Sequence, residues 1–197
     1  MENIPVLIQE VDMKKIFIIA FIFNLFLLSS CHPVRIDGPY KGRIIDADTR
    51  QPIEGVVVLG VWYKEYAIGA TGGSEFYDAE ETVTDKNGDF KIKGKGLLLF
   101  SFVGPVDLTI FKAGYKYVRG GWEHGIGYFD DIRWNGKTGI IPLKKLTMEE
   151  RKKSHGPPDP PSQAPLKKVI LMLREIDKDD KERGLRARGI WNGERYE

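Results

Sequence analysis

The sequence predicts an all-β fold, an antiparallel sandwich of seven strands, with an apolar helix before it and an amphipathic helix after it. Short runs rich in β-branched and aromatic residues alternate with clusters of turn-forming residues, a pattern typical of such sandwiches. Glycine is abundant, at 22 of the 197 residues, and suits tight turns better than helices. Hydrophobic residues make up 42% of the chain, which is enough for a packed core.

The strands fall between residues 37 and 146, and we place them at 40–45, 56–62, 81–84, 89–93, 97–102, 106–110 and 138–143. Asn87-Gly88 predicts a hairpin between the third and fourth strands, because a tight turn needs positive φ angles. The apolar run 97–102 predicts a buried strand. Pro142 predicts an edge strand, because proline has no N–H to donate. Two long connections, 63–80 and 116–137, are expected to be loops.

Three segments of this region carry a family resemblance. Residues 42–58, 82–92 and 108–115 resemble, in that order, the opening strands, the T-D-x-N-G-x-F hairpin and the Gly-Tyr-ended strand of carboxypeptidase regulatory-like domains. Those domains are transthyretin-like β-sandwiches with an immunoglobulin-like layout. The resemblance covers about half of the chain and implies a folding, spacing or binding module rather than an enzyme.

The N-terminus has the pattern of an export signal. Met13 and two lysines precede an apolar run of about a dozen residues, which is shorter than the roughly 20 residues that a spanning helix needs. Leu28-Ser29-Ser30-Cys31 then resembles the lipobox of bacterial lipoproteins. That resemblance implies cleavage before Cys31 and acyl chains on its thiol. The alternative is an uncleaved apolar helix with an incidental cysteine.

The same resemblance predicts where the protein resides. Residues 1–30 are assigned to the signal segment, with Met13 as the expected true start because residues 1–12 are too acidic for a signal. His32 follows the cysteine in place of the aspartate that favours the inner membrane in Gram-negative lipoproteins. We therefore expect a membrane-anchored envelope protein, on the outer membrane if the source is Gram-negative.

The C-terminal part divides into two segments. Residues 147–165 predict a short helix that begins with a Thr147–Glu150 capping box, followed by a Pro-rich extended linker. Residues 166–197 predict an amphipathic helix and a tail, in which the charged run 177–188 is a solvated helix end and Gly184 stops the helix. The helix is expected to cover an edge or apolar face of the sandwich. The alternatives are a partner-binding helix or a membrane-surface helix.

No catalytic, cofactor or metal site is predicted. The three histidines lack metal-ligand spacing, and the one polar cluster near aromatic residues, Glu123-His124 with Asp130-Asp131, is interpreted as a solvated loop. A net charge of +2 gives no reason to expect a nucleic-acid partner. The lone cysteine excludes an intramolecular disulfide.

Loop 120–134 is rich in glycine and aromatic residues, and two interpretations stay open. Trp122, Tyr128 and Trp134 either cover one end of the sandwich or contact a ligand such as a sugar. The sequence therefore predicts a non-catalytic, lipid-anchored envelope protein whose sandwich binds or scaffolds another envelope protein or a glycan. The alternative is a carbohydrate-binding module that uses loop 120–134.

Overall fold

The computed structural model describes residues 13–28, 34–68, 71–99, 101–123, 126–128, 133–135 and 138–196, and side chains are described for fewer of them. Helix α1 spans Met13–Leu28. Eleven described strands follow, at β1 Val34–Asp37, β2 Tyr40–Asp46, β3 Val57–Ile68, β4 Thr71–Val83, β5 Asp89–Ile92, β6 Gly96–Leu99, β7 Asp107–Phe111, β8 Val118–Glu123, β9 Ile126–Tyr128, β10 Arg133–Asn135 and β11 Thr138–Leu143. The chain continues with α2 Met148–Lys153, a 3₁₀ turn at Leu166–Lys168, α3 Ile170–Glu182, β12 Ile190–Trp191 and β13 Glu194–Arg195. The fold is thus mainly β, as the sequence predicts.

Two sheets form the body of the domain. One has five antiparallel strands in the order β4-β3-β7-β8-β9, and the other has four strands in the order β10-β11-β2-β5. A single hydrophobic cluster contains side chains from both sheets, including Ile44 and Ile141 from one and Trp62, Leu108 and Ile110 from the other. All five are fully buried. The two sheets therefore share one core, as the layers of a β-sandwich do.

The predicted loop 63–80 is instead a long hairpin. β3 and β4 pair from Val57↔Val83 to Ile68↔Thr71, with a bulge after Trp62. Thr71–Val83 holds four acidic and several small residues, so its pattern suggested a strand only from residue 81 onward. The segment is a strand because its backbone forms hydrogen bonds with β3, and a polar sequence does not by itself predict such pairing. The other predicted loop, 116–137, contains the short strands β8, β9 and β10.

The predicted hairpin at Asn87-Gly88 is also corrected. The turn itself forms, because the Gly88 N–H donates to the Asp85 carbonyl and the Asp85 N–H to the Asp89 carbonyl. Its strands diverge, however: β4 pairs with β3 in one sheet, and β5 pairs with β2 in the other. Gly88 has φ +73°, and a Cβ there would lie 2.3 Å from the Ile44 carbonyl oxygen. The Gly88 carbonyl accepts the Ile44 N–H at 2.8 Å, so the chain leaves the turn alongside β2 and not alongside β4.

One pair of strands is parallel, unlike the predicted all-antiparallel arrangement. β11 runs parallel to β2 from Thr138↔Lys41 to Leu143↔Asp46. β11 also pairs with β10, but only over Thr138 to Ile140. The strand is therefore internal at its start. At Pro142 it has a neighbour on one side only, where a missing N–H can be accommodated.

The C-terminal segment packs on the outer face of the five-stranded sheet. Met172, Leu173 and Ile176 of α3 form a second cluster with Val57 and Leu59 of β3. The outer face of β3 is apolar, so without α3 it would be exposed to water. Covering this apolar face is the first of the roles expected for the helix.

Acidic side chains of β4 and of α3 itself fix the position of α3. The Glu81 carboxylate on β4 accepts the backbone N–H groups of Leu171 and Met172, at 2.9 and 3.1 Å. It thereby caps a helix whose own N-cap residue makes no side-chain bond. Burial raises the pKa of Glu81 above its ordinary value, against the lowering effect of these N–H donors. From α3, Glu175 and Asp179 accept the N–H groups of the residues 113 and 114 that follow β7.

The charged run 177–188 is largely exposed, as the prediction of a solvated helix end requires, but two of its acidic residues are not. Asp177 and Asp179 are buried. Asp179 pairs with Arg151 of α2, which is buried too and also reaches Glu182 at 2.9 Å. The predicted capping box at Thr147 and Glu150 is present and starts α2. Tertiary packing thus turns charges of an amphipathic pattern into a buried ion-pair network.

Candidate functional site

The structure describes only some of the candidate residues that the sequence predicts. Cys31, His32, His124, Asp130 and Asp131 are outside the described residues. In the described part of the chain, no group of three or more His, Cys, Asp or Glu residues could hold a metal ion. Nor is any helix in that part both long and apolar enough to cross a membrane.

The backbone of the aromatic loop is partly described. Trp122 lies in β8 opposite Gly127, and Tyr128 lies in β9 opposite Gly121. Directly paired residues share one face of a sheet and neighbours along a strand alternate, so Trp122 and Tyr128 occupy opposite faces. Trp134 lies in β10, in the other sheet. The backbone does not place the three residues on one platform.

A concave feature lies elsewhere, between α3 and the C-terminal hairpin β12–β13. We call it the basic cleft. It encloses a volume of about 640 Å³. Its lining includes six cationic residues, Arg174, Lys178, Lys181, Arg186, Arg188 and Arg195. It also includes two acidic residues, Asp177 and Glu182. The cleft is not apparent in the sequence, because its cations come from a helix, a loop and a hairpin.

A tight turn connects the two short strands that border the cleft. Asn192 and Gly193 have φ angles of 50° and 83°, which suit the two central positions of a type I′ turn. This turn joins β12 to β13. An Asn-Gly pair between Trp191 and Glu194 is a strong hairpin signal, so the sequence contains a signal for this hairpin although it was not among the predicted elements.

The Pro-rich segment supports the hairpin from behind. The Trp191 indole N–H donates to the Ala164 carbonyl at 3.1 Å, and the Asn192 amide donates to the Ser162 carbonyl at 2.6 Å. Pro157, Pro160 and Ala164 are buried. Residues 156–165 are therefore a packed part of the domain and not the extended linker that was predicted.

The two acidic residues of the cleft are engaged by other groups. The Asp177 carboxylate accepts the backbone N–H groups of Arg188 and Gly189, at 2.9 and 3.0 Å. Glu182 pairs with Arg151 at 2.9 Å. Beside Asp177 lies Tyr196, whose pKa is raised to about 12 by burial and by the nearby carboxylate. The Tyr196 hydroxyl makes no hydrogen bond of good geometry among the described residues.

Three of the cations have no acidic partner in the described part of the chain. Arg188 pairs with Asp159, and Lys178 lies 3.5 Å from Glu175. By contrast, Lys181, Arg186 and Arg195 make no ion pair or side-chain hydrogen bond with described residues, and all three are exposed. Like charges gathered on one concave surface repel each other unless an anion joins them. The cleft therefore has the electrostatics of an anion-binding surface.

A second surface is apolar. β1 and β6 form a two-stranded ribbon apart from the two main sheets, with Val34 opposite Leu99 and Ile36 opposite Leu97. We call it the apolar ribbon. The four side chains and the nearby Phe102 are exposed: Val34 57%, Ile36 66%, Leu97 61%, Leu99 57% and Phe102 64%. The run 97–102 was predicted to be a buried strand, and this is wrong for three of its residues because no layer among the described residues covers the ribbon.

Comparison with known proteins identifies no family. No protein-family model matches the chain, and no curated protein matches it. A streptococcal ancillary pilin matches with a TM-score of 0.33 and 13% identity, over 56% of this chain and 30% of the pilin. The pilus adhesin of Streptococcus pneumoniae matches with a TM-score of 0.32 and 15% identity, over 56% and 15%.

An enzyme structure matches at the same level. 3-Chlorocatechol 1,2-dioxygenase of Rhodococcus opacus 1CP has a TM-score of 0.31 and 14% identity, over 56% of this chain and 62% of the enzyme. This chain thus spans less than two thirds of each of these structures. Similarity of this degree carries no functional argument, and function has to be argued from the residues.

Proposed function

We propose that this chain is a non-catalytic, lipid-anchored envelope protein whose β domain binds an anionic group of another envelope component in the basic cleft. The observation that carries the binding function is the lining of the cleft by Lys181, Arg186 and Arg195, which have no acidic partner among the described residues. The anchor is supported by the lipobox-like residues 28–31 after the apolar helix α1. Acyl chains contribute about 0.8 kcal/mol per buried CH₂, so several chains hold a protein firmly at a membrane.

The cleft supports this function better than loop 120–134 supports sugar binding. Sugar platforms need coplanar aromatic rings, and the β8–β9 register places Trp122 and Tyr128 on opposite faces. The finer fold assignment, a seven-stranded transthyretin-like sandwich of the carboxypeptidase regulatory type, is proposed on the three sequence segments 42–58, 82–92 and 108–115.

The anchor is tested by metabolic labelling. The full chain is expressed in a bacterial host with labelled palmitate, beside a Cys31→Ala variant. We expect label on the wild type, none on the variant, and a mature mass that begins at Cys31. An unlabelled wild type refutes lipid anchoring: a full-length membrane-bound chain then indicates an uncleaved helix, and a secreted one indicates ordinary signal cleavage.

The cleft is tested by charge removal in the full chain. Lys181→Gln, Arg186→Gln and Arg195→Gln are combined and binding of polyphosphate is measured at several salt concentrations. The matched control combines Lys145→Gln, Lys152→Gln and Lys153→Gln, three exposed cations outside the cleft. We expect the cleft variant to lose most of its polyphosphate binding, and we expect the remaining binding to depend less on salt concentration. Each contact between a cation and the polyanion releases counterions when it forms, so removing the cations removes that salt dependence. Equal losses in the two triple variants would show that overall charge, and not the cleft, determines binding.

A further inference from the structure

The apolar ribbon has an inner and an outer face of different character. Arg35 and Leu98 point to the domain: the Arg35 guanidinium donates to the carbonyls of Val103 and Gly104, each at 2.9 Å, and Leu98 packs against the core. The outer face carries the exposed pairs Val34–Leu99 and Ile36–Leu97. A sheet with one face in water normally alternates apolar and polar residues. This ribbon is apolar on the face where water would be expected.

A polar network holds the ribbon rigidly on the domain. The buried carboxylate of Asp37, the last residue of β1, accepts hydrogen bonds from the Tyr40 hydroxyl, the Trp62 indole N–H and the Lys95 N–H, at 2.7, 2.9 and 2.8 Å. Lys95 directly precedes β6, and its ammonium group lies 4.0 Å from the centre of the Trp62 ring. Both strands of the ribbon are therefore fixed to β3, and their outer face keeps a constant orientation.

The position of the ribbon along the chain points to what covers it. Val34, its first residue, follows Cys31 by three residues and the end of α1 at Leu28 by six. A chain spans at most about 3.5 Å per residue, so Val34 lies within roughly 10 Å of an anchored Cys31. The headgroup region of each leaflet is about 5–8 Å thick. A chain anchored at either residue cannot hold the ribbon far from the bilayer.

We propose that the apolar ribbon is a membrane-contact surface, which inserts its exposed valine, isoleucine and leucine side chains into the interface of the bilayer that holds the anchor. This inference rests on the proposed membrane anchoring, by either the acylated Cys31 or α1. Contiguous exposed apolar patches on a soluble domain mark interaction sites. The covalent anchor and the inserted ribbon together fix the tilt of the domain on the membrane.

The test measures how deep the ribbon lies. The full chain is reconstituted into phosphatidylcholine vesicles, with Leu97→Cys or Leu99→Cys labelled by an environment-sensitive fluorophore and lipids brominated along their acyl chains as quenchers. Lys86→Cys is the matched control, because it is exposed in the turn at the far end of β5. We expect the Leu97 and Leu99 labels to be quenched severalfold more strongly than the Lys86 label. Two exposed positions are used so that a folding defect in one variant does not decide the result.

The outcomes separate this inference from the anchor. Mass spectrometry of each sample reports whether Cys31 is acylated. An acylated chain whose Leu97 and Leu99 labels are quenched no more than Lys86 overturns the inference and leaves the anchor intact. The same holds if those labels are shielded only in native envelopes, because a protein partner would then cover the ribbon. If the chain is not acylated, the labels are placed in a Cys31→Ala background so that only position 97 or 99 carries the fluorophore. Strong quenching there, in a chain held by α1, supports the ribbon, and the missing acylation refutes lipidation.

Discussion

Replacing Asp37 by asparagine tests the network that joins the ribbon to the core. Asp37 is 1% exposed and its carboxylate serves three N–H or O–H donors. An asparagine side chain keeps one acceptor oxygen. That oxygen can serve either the Tyr40 hydroxyl or the Trp62 and Lys95 N–H groups, which share the other carboxylate oxygen of Asp37, and the NH₂ group then faces the remaining partner. The substitution therefore removes at least one of the three hydrogen bonds at nearly unchanged volume.

The size of the effect follows from the burial of those donors. Trp62 is fully buried, so the amide orientation that keeps its indole N–H bonded is favoured, and the Tyr40 hydroxyl then loses Asp37 as its acceptor. One buried donor that loses its acceptor costs roughly 1–3 kcal/mol, so we expect the free energy of unfolding to fall by about 2 kcal/mol. Asp37→Ala removes the acceptor of all three donors and is expected to cost about 2 kcal/mol more.

The assay is urea unfolding of the full chain in detergent micelles, followed by circular dichroism. Asp48→Asn serves as the matched control because it makes the same chemical change at an exposed position and should change stability by less than about 0.5 kcal/mol. An Asp37→Asn variant as stable as the control would refute the argument that this carboxylate fixes the ribbon. A change in the slope of the unfolding free energy against urea concentration, with an unchanged midpoint, would show that the variant alters the compactness of the native or the unfolded state.

Two further predictions concern α2. Arg151→Met should lower the free energy of unfolding by about 3 kcal/mol, since it leaves the buried carboxylate of Asp179 without its main cation; loss of less than about 1 kcal/mol in urea unfolding would contradict this. The N–H of Thr147, followed by Lys144, lowers the pKa of Glu150 to about 2. Because that value lies below the ordinary 4.5, the stabilisation is complete above pH 4.5 and is lost as the pH falls towards 2. Glu150→Gln should therefore flatten the pH dependence of unfolding over this interval, and a variant with an unchanged profile would contradict the assignment.

Local patterns in the sequence correctly predicted the caps, turns and helix faces, which depend on residues close together in the chain. The capping box at Thr147 and Glu150 forms because its partners are three residues apart. α3 ends before Gly184, which adopts φ +80° as a helix stop requires. The turn at 85–88 closes through its own backbone, whichever strands it joins. The periodicity of residues 166–176 predicted the apolar face that α3 buries.

Pairing between distant segments could not be predicted in this way. The turn at 85–88 has the sequence of a hairpin, but contact of Gly88 with β2 sends the following strand into the other sheet. Glu81 caps α3 from a position some 90 residues away. The basic cleft needs a helix and a hairpin to converge. These contacts depend on packing that a local pattern does not contain.

The sequence by itself determined that the chain is mainly β, that an apolar segment with a lipobox-like end precedes it, and that an amphipathic helix follows. These features depend on residue type and on spacing over a few residues, which the backbone converts directly into strands, turns and helices. The tertiary structure alone decided which charges are buried and which leucines are exposed. Asp179 is buried in contact with Arg151, and Leu97 is exposed because no layer in the described part of the chain covers β6. Burial depends on what packs against a residue, and those neighbours come from distant parts of the chain.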